Sequence, residues 1–168
     1  MRQTSFALLA FQLFLCTFTF CASASAQEKE IVGWLEKVKL SPAGLIIHGK
    51  LDSGADYSSL NATNVEEFEK DNEDWVRFRV SNRFGDSATF ERPIIRTALI
   101  KKHFGKPEKR PVVRLGICVG QHYMEADVNL ANRRNFETQM LIGRSFLAGN
   151  IVIDPALTFT ATPNCSRG

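Results

Sequence analysis

The chain has 168 residues, and its 21 basic and 18 acidic side chains give a formal net charge of +3 at pH 7. So small an excess gives no overall electrostatic argument for nucleic-acid binding, and we expect no nucleic-acid partner. The length fits one domain, which is large enough to bury a hydrophobic core without depending on disulfides.

The first 26 residues have the pattern of a secretory signal peptide. Arg2 precedes an apolar run at residues 6–20, and the small residues 22–26 end in an A-x-A sequence that is typical of cleavage after Ala26. We therefore predict residues 1–26 as the signal peptide and residues 27–168 as the mature domain. The mature protein is expected to be periplasmic or secreted, with no stable membrane span. An uncleaved amino-terminal anchor is the alternative, although the apolar run is short for a permanent span.

Two cysteines, Cys118 and Cys165, remain in the predicted mature domain. In an oxidising compartment such a pair can form a disulfide. The sequence alone leaves open whether the two residues come close enough to do so.

The mature domain reads mostly as short strands. In residues 75–80, Val76, Phe78 and Val80 alternate with two arginines, which is the period of a half-buried strand. The other predicted strands lie at residues 45–51, 88–95, 111–119 and 122–130, with turns at residues 82–86 and 105–108.

Helical character is predicted at two places, the acidic residues 64–73 and a short piece that begins near Arg144. Both are too brief to organise a helical domain. Closely spaced short strands in a chain of this length indicate an all-β fold, a small closed or half-closed barrel.

The main functional pattern lies at residues 49–60, where an apolar strand runs into Asp52-Ser53-Gly54-Ala55 and then resumes. Packing holds a carboxylate at the end of a strand, and a neighbouring hydroxyl can make its loop rigid. Gly54 allows another backbone to approach closely. A bare Asp-Ser-Gly is more often an ordinary turn, so the interpretation depends on the longer string around it.

That longer string, residues 51–60, resembles the active-site signature of retropepsins, the dimeric aspartic proteases of retroviruses. Their second signature is similar to residues 140–147, in which apolar residues flank Gly143-Arg144. The resemblance implies a small retropepsin-like acid-protease barrel, all-β, with one short helix near the C-terminus and active as a twofold homodimer.

A closer resemblance covers nearly the whole mature domain. Ile31-Val32-Gly33-Trp34, Arg110-Pro111-Val112-Val113, Asn132-Arg133 and Ile153-Asp154-Pro155 recur in a bacterial retropepsin-like aspartic peptidase family labelled ATP-dependent zinc protease. The chain departs from that family at Asp56 and Asn61. It contains neither a G-x-x-x-x-G-K-[ST] loop nor an H-E-x-x-H sequence, so we expect no cofactor and no metal.

The resemblance implies an aspartic-type endopeptidase, a hydrolase in which Asp52 and the Asp52 of a second copy share a proton and activate a water molecule. Ser53 and Gly54 complete the predicted catalytic loop, and Ser53 is expected to hydrogen bond across the twofold axis. Ala55, Asp56, Gly143 and Arg144 are predicted as structural support, with a salt bridge between Asp56 and Arg144.

The resemblance to retropepsins also implies a hairpin that covers a peptide or protein substrate, and residues 94–113, here called the flap hairpin, are the best candidate for it. The side chains near its tip, Lys101, Lys102, His103 and Lys106, favour acidic or glutamate-rich substrates, which relatives of the family are thought to trim. The plain alternative for this charge run is a solvated surface.

Two other functions remain open. One is a retropepsin-like module that binds peptides without cleaving them. The other is a zinc-dependent hydrolase, as the family label says, for which Cys118 and His122 are the nearest candidate ligands.

Overall fold

The structure is a computed structural model that describes residues 28–101 and 106–166. Within these residues the chain forms eleven strands and one short helix. The strands are β1 Glu30–Ser41, β2 Leu45–Leu51, β3 Ser58–Asn61, β4 Thr63–Lys70, β5 Glu73–Ser81, β6 Ser87–Pro93, β7 Arg96–Ile100, β8 Glu108–Val119, β9 His122–Ala131, β10 Met140–Ile142 and β11 Ile151–Thr158. The helix, α1, is Arg144–Leu147. The expected all-β fold with one short helix near the C-terminus is confirmed.

Six strands close into a barrel. They follow the order β1-β2-β10-β3-β9-β8, and β8 pairs again with β1, where Lys39 lies opposite Cys118 and Ser41 opposite Gly116. β11 extends the sheet on the outer side of β1, and β7 extends it beyond β8. Closure removes the edges of the barrel strands, so the exposed edges of this sheet are β7 and β11.

Parallel pairing places the candidate loop. β2 and β10 run side by side with Leu51 opposite Ile142, and β3 runs parallel to β9. Asp52 therefore follows β2 at the same end of the barrel at which Gly143 follows β10. The two signature segments, far apart in sequence, emerge next to each other because their strands are neighbours in the sheet.

The core lies inside the barrel and continues under a second sheet of three strands, β4-β5-β6. Side chains from every barrel strand are fully buried, among them Val38, Ile47, Leu60, Ile117 and Met140. On β5, the predicted alternation holds, since Val76, Phe78 and Val80 are buried and the arginines between them face outward.

The prediction of helical character at residues 64–73 is wrong, because β4 occupies most of that segment. Glu and Lys favour helix in isolation, but β4 pairs along its length with β5. Asp71 and Asn72 both have positive φ, 54° and 61°, and join Lys70 directly to its partner Glu73. A two-residue turn of this kind matches the twist of a hairpin, and it commits the segment to strand.

The other predicted strands agree with the sequence interpretation, as does the predicted turn at residues 82–86. The turn predicted at residues 105–108 lies partly outside the described residues, and its last residue, Glu108, begins β8. Residues 45–51 coincide with β2, and residues 82–86 form a turn in which the Asn82 N–H donates to the Asp86 carbonyl at 2.9 Å. The predicted signal peptide, residues 1–26, lies outside the described residues. Among the described residues no helix has the length and apolarity to cross a membrane.

The last described segment is fastened back onto the start of the barrel. Cys118 and Cys165 form a disulfide with their Cα atoms 6.1 Å apart, and the Asn164 N–H donates to the Gly120 carbonyl at 2.7 Å. The question that the sequence left open about these cysteines is therefore answered. The buried Glu36 carboxylate also holds this segment, because it accepts hydrogen bonds from the backbone N–H groups of Thr160 and Ala161.

Candidate functional site

Asp52 lies at the end of β2 in a hydrogen-bonded loop. Its N–H donates to the Ile142 carbonyl at 2.9 Å, and its carbonyl accepts from the Ala55 N–H at 3.3 Å. One carboxylate oxygen accepts from the Gly54 N–H at 2.9 Å. The carboxylate is half-buried, while Ser53 and Gly54 beside it are exposed. Asp52 is thus a fixed carboxylate that opens onto the surface of this chain.

Arg144 clamps this loop from the first turn of α1. Its guanidinium donates to the carbonyls of Ser53 and Gly54, at 3.1 and 3.3 Å, and pairs with the Asp56 carboxylate. Its backbone N–H donates to the Ala55 carbonyl at 2.8 Å. The predicted Asp56–Arg144 salt bridge is present in the structure, but both side chains are more than half exposed in the single chain.

Gly143 lets α1 approach the loop closely enough for these bonds. A Cβ atom at this position would lie 2.6 Å from the backbone carbon of Tyr57, which no side chain allows. The Gly143 N–H donates to the buried Ser58 hydroxyl at 3.2 Å. Ser58 was not among the predicted site residues, although it belongs to the same string. Its burial at the start of β3 gives it a structural role.

The flap hairpin is present as β7 paired with β8, from Arg96 opposite Val112 to Ile100 opposite Glu108. Lys101 and Lys106 are exposed, and Lys102 and His103 lie outside the described residues. Between the hairpin and the loop after Asp52 is a cavity of about 210 Å³. Its lining comprises Asp56, Tyr57, Arg96, Ala98, Ile100, Val112 and Asn129.

Arg96 forms one wall of that cavity. Its guanidinium carbon lies 4.6 Å from the centre of the Tyr57 ring, and one of its nitrogens lies 3.9 Å from the Asp127 carboxylate. Arg110 donates to Glu108 at 2.8 Å and to the side-chain oxygen of Asn129 at 3.3 Å. The cavity lining thus carries one arginine, Arg96, and one carboxylate, Asp56, and Arg110 bonds to Asn129 of the same lining.

Arg133, which follows β9, was not predicted as a site residue. Only 8% of it is exposed. Burial lowers the pKa of its guanidinium, the nearby charge of Arg110 lowers this pKa further, and the charge of Asp52 raises it. In the sequence, Asn132-Arg133 was noted only as a dipeptide that recurs in the family. Residues 132–139 have no periodic hydrophobic pattern, so their sequence does not show that Arg133 is buried.

A metal site at Cys118 and His122 is not compatible with the structure, since the Cys118 sulfur is bonded to Cys165. In residues 28–101 and 106–166 no group of three or more His, Cys, Asp or Glu residues could hold a metal ion. Burial lowers the pKa of His122, an effect that the Glu30 charge partly opposes, and its ring packs edge-on against Phe146 at 4.9 Å. His122 is a packed side chain of the barrel end.

Comparison with known proteins gives one family match. The model of the RimB-like family, described as retropepsin-like aspartic endopeptidase RimB, matches residues 31–164. Two curated relatives, from Desulfotalea psychrophila and Shewanella halifaxensis, are each named probable alpha-L-glutamate ligase. They are 34% and 31% identical to this chain over 77% and 80% of its length. The chain spans about 30% of the length of these relatives, 29% and 30% respectively.

A solved structure supports the fold. A crystal structure of a protein of unknown function from Legionella pneumophila superposes with a TM-score of 0.70 and 37% sequence identity. The match covers 80% of this chain and 100% of the Legionella chain. The overall architecture of this chain therefore also occurs in a solved protein.

The assignment as an aspartic-type endopeptidase is contradicted by these comparisons, both as a function and as an enzyme class. The curated relatives are named as ligases, which join molecules, and not as hydrolases.

Proposed function

This chain belongs to the RimB-like, retropepsin-like family, and we propose that it is a binding domain for acidic, glutamate-bearing peptides that serves glutamate ligation. The observation that carries the proposal is the arginine-walled cavity between the Asp52 loop and the flap hairpin. The names of the curated relatives support the choice of glutamate, since a ligase that adds glutamate handles chains with many carboxylates.

Charge supports an acidic ligand. The described part of the flap hairpin exposes Lys101, Lys106 and Lys109 around the single acid Glu108, which pairs with Arg110. A basic surface beside a cleft attracts acidic peptides and repels basic ones, and its largest effects are on selectivity and on the rate of association.

Strand topology supports an extended ligand. β7 is the end strand of its sheet, so one side of its backbone is unpaired with another strand. A peptide that lies along such an edge forms backbone hydrogen bonds independent of its sequence, and neighbouring pockets select alternate side chains. In this arrangement carboxylates of the peptide would reach the cavity that Arg96 walls.

The size of the match supports a domain role. Because the chain corresponds to about 30% of the length of its curated relatives, the ligase name describes proteins much longer than this chain. We therefore propose that this chain contributes recognition of the acidic substrate or product, and that the ligation chemistry belongs to other polypeptide.

The test is a binding titration. The full chain is titrated with fluorescent oligoglutamate, oligoglutamine and oligolysine of equal length, and fluorescence anisotropy is measured at low and high salt. We expect saturable binding of oligoglutamate that weakens with salt, and at least about tenfold weaker binding of the other two. Equal binding of oligoglutamine, or hydrolysis of oligoglutamate detected by mass spectrometry, would contradict the proposal.

We also propose that two copies associate with their Asp52 loops facing one another. In the single chain this loop is exposed at Ser53 and Gly54, and the edge strand β11 exposes the apolar Val152 and Leu157. Exposed apolar residues on an edge strand favour pairing with another chain. Sedimentation equilibrium checks this association, and a monomer at all accessible concentrations would refute it.

For location we propose the periplasm or the extracellular space. The disulfide between Cys118 and Cys165 supports this, because disulfides persist in oxidising compartments and are rare where thiols are kept reduced. Fractionation of cells that express the full chain checks the location. Recovery of the protein only from the cytoplasm, with both cysteines as free thiols, would rule it out.

A further inference from the structure

Arg133 is a buried cation whose Nε atom has no hydrogen-bond partner among the residues that the structure describes. The residue is 8% exposed, and this atom, which lies away from solvent, contacts no acceptor within the described residues. Buried polar groups in folded proteins nearly always have partners, and a charged one without a partner destabilises the fold. Such an atom calls for an explanation by function.

The position of Arg133 is fixed by groups other than an anion. Its backbone N–H donates to the side-chain oxygen of Asn61 at 2.7 Å, and its carbonyl accepts from the Phe136 N–H at 2.9 Å. The Phe136 ring lies over the guanidinium, 4.4 Å from its carbon to the ring centre. The guanidinium is therefore held in place before any ligand arrives, which reduces the entropy lost on binding.

The charges around Arg133 leave it under-compensated. Arg110 lies close enough to lower the pKa of Arg133, and the Glu108 carboxylate is already paired with Arg110. The Asp52 charge raises the pKa of Arg133, yet no salt bridge joins the two residues in the described part of the chain. An additional carboxylate next to Arg133 would meet net positive charge.

We infer that Arg133 binds a carboxylate of the ligand, through Nε and the adjacent guanidinium nitrogen, and so selects glutamate-bearing chains. This inference rests on the proposed function and names its specificity-determining contact. The planar guanidinium matches a carboxylate with two parallel hydrogen bonds, a geometry that lysine cannot reproduce. Phe136 is 60% exposed, so its ring can also cover the methylene groups of a glutamate side chain.

The carboxylate could come from a glutamate side chain or from the free C-terminus of the peptide. Three ligands of equal length separate these sources: oligoglutamate with a free C-terminus, the same peptide with an amidated C-terminus, and oligoglutamine with a free C-terminus. We expect the side-chain source, for which the first two ligands bind equally and the third binds more weakly. Similar binding of the first and third ligands would show a terminal contact and would overturn the selection of glutamate.

Arg134 provides a matched control, because it is the neighbouring arginine, is exposed, and carries the same charge. We expect Arg133→Gln to weaken oligoglutamate binding by about tenfold or more, Arg133→Lys to weaken it by less than that, and Arg134→Gln to change it by less than about twofold. Equal effects of Arg133→Gln and Arg134→Gln would show that Arg133 acts only through its positive charge, and this would overturn the inference.

A second readout separates this inference from the proposed function and does not depend on how the variants fold. The full wild-type chain, labelled with ¹⁵N, is titrated with N-acetylglutamate, and the Nε–H resonance of Arg133 is followed by NMR. A saturable shift of this resonance supports the carboxylate site even if oligoglutamate fails to bind, in which case only the proposed function fails. An unchanged resonance overturns the site itself.

Discussion

Glu36 is a fully buried carboxylate on β1 whose hydrogen bonds extend to the end of the described chain. One oxygen accepts from the Gly33 N–H at 2.8 Å, from the Thr160 N–H at 3.0 Å and from the Thr160 hydroxyl at 2.8 Å. The other accepts from the Ala161 N–H at 3.1 Å. A buried charge of this kind is tolerated because hydrogen bonds replace its water shell. Arg133 differs from it in that its Nε has no such replacement within the described residues.

The buried side chain of His48 determines how the free energy of unfolding should change as the pH falls. It is 8% exposed and packs against Phe84 and Phe159, with ring centres 5.8 and 4.6 Å away. Burial lowers the pKa of His48 below its usual 6.5, and the charges of Arg83 and Lys37 lower it further. As the pH falls through 6.5, His48 therefore binds a proton in the unfolded chain but stays neutral in the folded chain. We expect the free energy of unfolding to fall as the pH drops from 6.5 toward the folded-state pKa.

Urea denaturation at several pH values from about 7.5 to about 5.5 measures this effect. His48→Gln is the control, because it removes the titrating group and should reduce the decrease. If the free energy of unfolding of the wild type instead rises over the same range of falling pH, the pKa of His48 is not lowered in the folded state.

At the scale of elements, the buried face of the three-stranded sheet carries one pair of stacked rings. Phe78 on β5 is fully buried, and its ring lies 5.5 Å from that of Phe90 on β6. We expect Phe78→Ala to lower the free energy of unfolding by about 3–5 kcal/mol, because it removes buried surface and leaves a cavity. Thr89→Ala, at an exposed position on the same strand as Phe90, should change it by less than about 0.5 kcal/mol. Denaturant titration of both variants measures the two losses in free energy of unfolding. Equal losses would show that Phe78 is not part of the cooperative core.

How far the sequence predicts the elements depends on whether the deciding interaction is local. The alternation around Phe78 identifies β5 because one face of that strand meets the core. Residues 64–73 mislead, because Glu and Lys favour helix locally while pairing with β5 decides for strand. The turn residues Asp71 and Asn72 carry the corrective information, since both accept positive φ.

The candidate site divides in the same way. Asp52 and Arg144 are predictable because each lies in a short signature at the end of a strand, and strand pairing brings the signatures together. Arg133 and Arg96 are not, because the surroundings of each depend on side chains from other elements. Nothing in the sequence around Arg133 indicates that its guanidinium is buried, or that its Nε lacks a hydrogen-bond partner in the described part of the chain.

For the whole molecule, the disulfide closes a large loop between residues 47 positions apart, Cys118 and Cys165. A cross-link of this span restricts the unfolded chain, so its removal should lower the free energy of unfolding by about 2–4 kcal/mol. Guanidinium denaturation with and without reductant measures the loss. The double variant Cys118→Ala/Cys165→Ala should have the lower stability and be insensitive to reductant, and equal stability of oxidised and reduced protein would contradict this expectation.

The turn at Gly120 is the place where the start and the end of the barrel meet. Glu30 at the head of β1 accepts a hydrogen bond from the Gln121 N–H at 3.0 Å, while Asn164 donates to the Gly120 carbonyl from the other side. A domain whose ends lie together can be inserted into a longer protein, or removed from it, without disturbing its interior. The barrel is thus built so that it can form one part of a longer protein, and the segment that corresponds to it makes up about 30% of the length of the curated relatives.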